Sequence, residues 1–178
     1  MARSKTGPCS FEAPCFPERT GAQLRGLKRT ITMALTRRST ATWKGSGKEG
    51  SGTVTSTSGV LKDAPHSFLT RFVSEDGKAG TNPEELIAAA HASCFTMKLS
   101  FVLGAGGHTA DELTCTANVK LDKVGDGQGI VGIHLELTGR VKGISPEDFQ
   151  RFAEDAKNGC PISQALKAVP ITLEAKLV

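Results

Sequence analysis

The chain has 178 residues, of which 38% are hydrophobic and 22% charged, with eight Phe, one Trp, no Tyr and five Cys, the make-up of an ordinary soluble globular protein with one domain. The net charge of +4 sits wholly in residues 1 to 32, where Arg3, Lys5, Arg19, Arg25, Lys28 and Arg29 face only Glu12 and Glu18; residues 33 to 178 carry 16 charges of each sign. A neutral body with few aromatics lacks the basic stripe and stacking platforms that hold nucleic acid. The longest apolar run, Leu86 to Leu103, is interrupted by His91 and Lys98, which argues against a membrane partner.

Residues 1 to 32 are broken by Pro8, Pro14 and Pro17 and show no periodicity, so they are expected to be a disordered N-terminal extension, with Met33 opening a self-contained domain over 33 to 178. No apolar run of secretory type follows the basic start, and Glu12 and Glu18 count against a basic transit peptide, which together predict a cytoplasmic protein. Cys9 and Cys15 are incidental on this reading.

From Ser39 the pattern becomes regular. Residues 39–45 (STATWKG), 51–58 (SGTVTSTS) and 66–73 (HSFLTRFV) are short, rich in Thr, Val and Phe, and separated by Gly or Pro, predicting three antiparallel strands. Alternation in the third puts Arg71 on one face with Leu69 and Val73, an inward arginine that needs an anion. Asn82, Pro83, Glu84 and Glu85 then read as cap, first helical residue and acidic first turn of a helix that ends at Gly104 to Gly107. It is apolar nearly all round, predicting a buried core helix. Residues 112–122 and 129–141 alternate again as a hairpin, with Cys115 in line with Leu113, Ala117, Val119 and Leu121. Ser145-Pro146-Glu147-Asp148 starts an amphipathic helix ended by Asn158-Gly159. Cys160-Pro161 begins a short helix through Ala168, and Ile171 to Leu177 is a final strand. The order is that of an α+β chain without repeats.

Chemistry has few candidates. There is no CxxC or HExxH, and His66, His91, His108 and His134 are scattered, so no metal site is expected. The Gly-Thr-Asn-Pro approach to the core helix would attract an anion were it not for Glu84 and Glu85 in the first turn. His91 lies three residues before Cys94 and reads as a hydrogen-bonded core histidine. Cys94 itself reads as an inert core thiol unless Arg71, Glu84 and Cys160, which stands at a helix start, converge on it.

The run GTNPEELIAAAHASCFTM, the later GCPISQALKA, and Trp43-Lys44-Gly45 with GTVTSTSGVL closely resemble the osmotically inducible protein C (OsmC) family of thiol-dependent peroxidases, in the group that also holds the organic hydroperoxide resistance proteins. The resemblance covers about residues 35 to 178. It implies antiparallel sheets packed around a long buried central helix in an intertwined homodimer, and an enzyme that reduces organic hydroperoxides to alcohols without metal, haem or flavin. By motif, Cys94 is the peroxidatic cysteine and Cys160 the resolving one, with Arg71 and Glu84 as the activating pair. An external dithiol, such as a lipoyl-bearing protein, reopens the disulfide.

The physical logic agrees. A thiol with a pKa of about 8.5 is mostly protonated at neutral pH, and a guanidinium cannot lose its charge to burial as an ammonium can. A bidentate Glu84 would aim one edge of Arg71 at Cys94. Glu84 and Cys94 are ten residues apart, about 15 Å along a helix, so a second copy of the helix is expected to supply the pair. Two other classes stay open: a structural protein holding a Cys94–Cys160 disulfide, and a redox-sensing or small-molecule-binding module without rapid turnover.

Overall fold

The computed structural model describes residues 34–74 and 77–178, so the expected disordered extension lies outside the described residues. The chain divides into Met1–Thr36 and Arg37–Val178, and every element named below belongs to the second unit.

Strands β1 (Ser39–Lys44), β2 (Ser51–Ser56) and β3 (Ala64–Ser67) form an antiparallel sheet in that order, as Thr-, Ser- and Val-rich segments joined by turns should. Gly45, at a φ of +94°, turns the chain out of β1, where a side chain would also press on the Gly50 backbone. This sheet buries little: every residue of β1 is exposed.

The third strand is shorter than its alternation predicts. It stops at Ser67, and Phe68–Phe72 form a short helix, α1. The Ser67 hydroxyl accepts from the Thr70 N–H at 3.1 Å while the Thr70 hydroxyl accepts from the Ser67 N–H at 2.8 Å, a reciprocal cap that satisfies the first turn. Local hydrogen bonds therefore override the strand pattern, and Arg71 is not an inward strand residue. Its side chain is 36% exposed.

Helix α2 (Pro83–Ala105) begins where the sequence predicts, with Asn82 Oδ1 accepting from the Glu85 N–H at 2.8 Å. Strands β4 (Ala110–Val124) and β5 (Gly127–Val141) then form a long antiparallel hairpin, with bulges near Glu112 and Leu121. Helices α3 (Pro146–Gly159) and α4 (Pro161–Ala165) lead to β6 (Ile171–Leu177), and α4 ends three residues earlier than expected.

The sheet is mixed, because β6 pairs parallel to β5, with Ile133 opposite Ile171 and Gly139 opposite Leu177. The two helices between these strands supply the crossover that a parallel pair needs, so the expectation of wholly antiparallel sheets fails here. Ile133, Leu135, Leu137 and Val141 of β5 are buried in one core with Phe95 and Leu99 of α2 and Phe149 of α3. The tip of the Phe149 ring in α3 meets the strand at Gly139, where a Cβ would stand 2.4 Å from it.

Helix α2 is buried on one stripe only. His91, Phe95, Leu99 and Leu103, four residues apart, are each 0% exposed, whereas Met97 and Phe101 on the outer side are 63% and 69% exposed. By length and composition α2 would suffice to cross a membrane, more than the interrupted apolar run suggests, yet its inner stripe is packed on β4, α3 and α4. The expectation of a helix buried all round is not met within one chain, since one sheet and one helix layer can cover only one side of it.

Candidate active site

Two groups of the sequence-predicted residues meet. Arg71, at the end of α1, and Glu84, in the first turn of α2, form a bidentate pair: Arg71 Nη2 donates to Glu84 Oε1 at 2.7 Å and Nε donates to Oε2 at 3.1 Å. The Glu84 side chain is only 13% exposed. Three contacts bring the two elements together: the Thr81 N–H donates to the Pro65 carbonyl at 2.8 Å, the Thr70 hydroxyl donates to the Thr81 carbonyl at 3.1 Å, and Thr81 Oγ1 donates to Glu85 at 2.8 Å. The guanidinium also lies 5.0 Å from the Phe72 ring centre. Beside it opens a cleft of about 290 Å³ lined by Trp43, His66, Phe68, Arg71, Phe72 and Pro83.

The second group is the sulfur pair. Cys94 stands midway along α2 and Cys160 at the junction of α3 and α4, with the sulfurs 3.2 Å apart. A disulfide needs them at about 2.0 Å, so closure asks for a movement of only about 1 Å. Cys160 is 0% exposed, whereas Cys94 is only partly buried. The accessible sulfur of the pair is therefore Cys94.

Acidity runs the other way. Burial is the largest influence on both thiols and raises both. At Cys160 it is outweighed by N–H groups of Ser163 and Ile162 at the start of α4, by the Ser163 hydroxyl and by Cys94, so that thiol ends below its usual range. Cys94 ends above it: one N–H from Ile162 helps, but the ionising Cys160 opposes. Among the described residues, no cation is among the groups that act on Cys94, and Arg71 pairs with Glu84.

The remaining candidates behave as core residues. Cys115 is packed against the core, and burial, then the Glu136 carboxylate, push its thiol up to about 11. His91 is fully buried with Nε2 2.8 Å from the Ser163 hydroxyl, which matches the expectation of a bonded core histidine for one ring nitrogen. Ser163 was not singled out from sequence, since a serine inside GCPISQ carries no charge or periodicity to mark it. A wider depression of about 670 Å³ near Asn118 and His134, on the other side of the β4-β5-β6 sheet, contains no thiol.

Residues 75–174 match the family described as OsmC-like protein. The chain is 48% identical over 145 residues to the peroxiredoxin OsmC of Escherichia coli strain K12, an alignment covering 82% of this chain and 99% of that one. It is 32% identical over 105 residues to the organic hydroperoxide resistance protein-like 1 of Staphylococcus epidermidis, covering 58% and 74% of the two chains. Among solved structures, the organic hydroperoxide resistance protein of Elizabethkingia anophelis superposes with a TM-score of 0.58 at 27% identity, covering 83% of this chain and 98% of that one. With the facing thiols, these likenesses show that the chain belongs to the OsmC-like protein family, as a cysteine-based peroxidase.

Proposed function

We propose that the protein reduces organic hydroperoxides to alcohols in the cytoplasm, with Cys94 as the attacking sulfur, Cys160 as the resolving sulfur, and Arg71 and Glu84 delivered to Cys94 by a second copy of the chain. The observation that carries this reading is the sulfur pair itself: 3.2 Å apart, one sulfur reachable from outside and the other not. The Cys94 thiolate attacks the outer peroxide oxygen. The O–O bond breaks, the alkoxide takes a proton and leaves as alcohol, and Cys94 is left as a sulfenic acid. Cys160 displaces water from that sulfur to form a disulfide, which an external dithiol, such as a lipoylated protein, reduces.

The homodimer is supported by what one chain leaves undone. Cys94 is left less acidic than an ordinary thiol, while Arg71, paired with Glu84 at the start of the same helix, is not among the groups that act on it. Met97 and Phe101 give that helix an uncovered apolar side. Two copies of α2 packed antiparallel about a two-fold axis would cover those residues and bring the Arg71–Glu84 pair of each copy towards Cys94 of the other.

Stopped-flow reaction with cumene hydroperoxide, followed by recycling with dithiothreitol or a lipoylated protein, tests the roles. Cys94→Ser is expected to abolish peroxide consumption, and Cys160→Ser to consume one equivalent and stop as a sulfenic acid. Full turnover by Cys94→Ser would overturn the assignment. A wild-type protein that oxidises once and is not recycled by any dithiol would instead be a sensor.

A further inference from the structure

Cys160 has neighbours that the peroxide chemistry leaves unused. Ser163, third residue of α4 and 5% exposed, is among the groups that favour the Cys160 thiolate, through both its backbone N–H and its hydroxyl. Behind it stands the fully buried His91, with Nε2 2.8 Å from Ser163 Oγ and Nδ1 buried without a partner among the described residues. That orphaned nitrogen fixes the direction of the bond. Burial lowers the proton affinity of His91, so the ring is neutral and carries one proton. On Nδ1 that proton would be a buried donor with no acceptor, and orphaned N–H groups are rarer than orphaned acceptors. It therefore sits on Nε2 and is donated to Ser163 Oγ, which frees the Ser163 hydroxyl proton for Cys160.

We propose that His91 and Ser163 form a one-way chain of hydrogen-bond donors ending on the Cys160 sulfur, and that this chain makes Cys160 the thiolate that closes the disulfide. The inference rests on the reading of Cys160 as the resolving sulfur. In the step concerned, Cys160 gives up its proton and its electron pair forms the S–S bond. The Cys94 S–O bond breaks, and the departing oxygen takes the proton and leaves as water. Ser163 touches a reacting atom, whereas His91 acts through it and is a positioning residue. Among the described residues, the charged and titratable groups near Cys160 include Cys94, His91 and Lys98 of α2 and Lys157 of α3. The Lys98 chain crosses Gly159 with Cε 2.7 Å from where a Cβ would stand, and Lys157 is held by Glu154 at 2.6 Å.

The test is the lifetime of the Cys94 sulfenic acid after one equivalent of cumene hydroperoxide, read by dimedone trapping between about pH 5 and 9. Ser163→Ala is expected to slow disulfide closure about tenfold at neutral pH and to move its pH profile upward by about one unit, the loss of one hydrogen bond to a charged sulfur. His91→Phe should move the profile in the same direction, and Ser163→Thr, which keeps the hydroxyl, should restore it. Wild-type profiles in Ser163→Ala and His91→Phe would overturn the inference. Ser163→Ala removes a single oxygen and carries the test alone if His91→Phe does not fold. Cys160→Ser separates the two levels: a sulfenic acid that fails to persist there defeats Cys160 as resolving sulfur, whereas one that persists beside an unchanged Ser163→Ala profile defeats only the donor chain.

Discussion

The first turn of α2 and its middle are built on opposite principles. At the first turn, Arg71 and Glu84 form a bidentate ion pair held by the capping hydrogen bonds of Ser67, Thr70 and Thr81, beside a sheet whose outer strand is fully exposed. At the middle, Cys94 and Cys160 lie on the main core, among Phe95, Leu99 and Phe149, where each large apolar side chain contributes about 1.5–3 kcal/mol by burial. Among the described residues, one region holds an ion pair and the other a thiol on which no cation acts. The difference teaches that one helix can carry an ion pair in its first turn and a thiol in its middle without joining the two within a single chain.

The contrast is broken most severely from the core side. Phe95→Ala, next to Cys94 and 0% exposed, is expected to lower the unfolding free energy by about 3–5 kcal/mol in denaturant titration, because nothing around it can collapse into the space. A change under 1 kcal/mol would mean that the thiol region is not the rigid part. On the charged side, Arg71→Ala should leave stability nearly untouched but slow the first oxidation of Cys94 by about 100-fold in stopped flow. Arg71→Lys should recover little, since an ammonium cannot hold Glu84 and face a sulfur with two edges at once. Equal rates for wild type and Arg71→Ala would remove the cation from the mechanism.

The smallest effect sharpens the distinction between thiols. Cys115 titrates at about 11 in the folded chain, above the usual value of about 8.5, so it is a neutral thiol at pH 7 and takes no part in peroxide attack. The unfolded chain releases this proton first, so its contribution to stability is intact below about pH 8.5 and is lost as pH rises towards 11. Cys115→Val should flatten that alkaline fall in stability, measured by urea unfolding at several pH values. An unchanged slope would place the alkaline sensitivity elsewhere.

Much of this arrangement is legible in the residues. Asn82-Pro83 and Ser145-Pro146 announce their helices because capping chemistry is local, and Ile171 to Leu177 is read to the residue because its alternation meets a half-buried sheet. The segment HSFLTRFV misleads because an alternating pattern hides the Ser67–Thr70 cap, which ends the strand and turns Arg71 towards Glu84. The parallel pairing of β6 is invisible to periodicity, which fixes faces but not strand direction. The partial exposure of α2 is equally invisible, because an all-apolar helix looks the same whether one chain covers it or two do. The cysteine pair was legible through the family resemblance, whereas the contact between His91 and Ser163 depends on a fold that joins distant segments.

The central claim is that the cation for each Cys94 comes from the other subunit, and a purified heterodimer tests it most directly. One subunit carries Cys94→Ser and the other Arg71→Ala, each with its own affinity tag. The account predicts that the heterodimer reduces cumene hydroperoxide at about half the wild-type rate, although neither parent homodimer does so appreciably, because one composite site is intact and the other lacks both groups. A heterodimer no more active than its parents would contradict the claim.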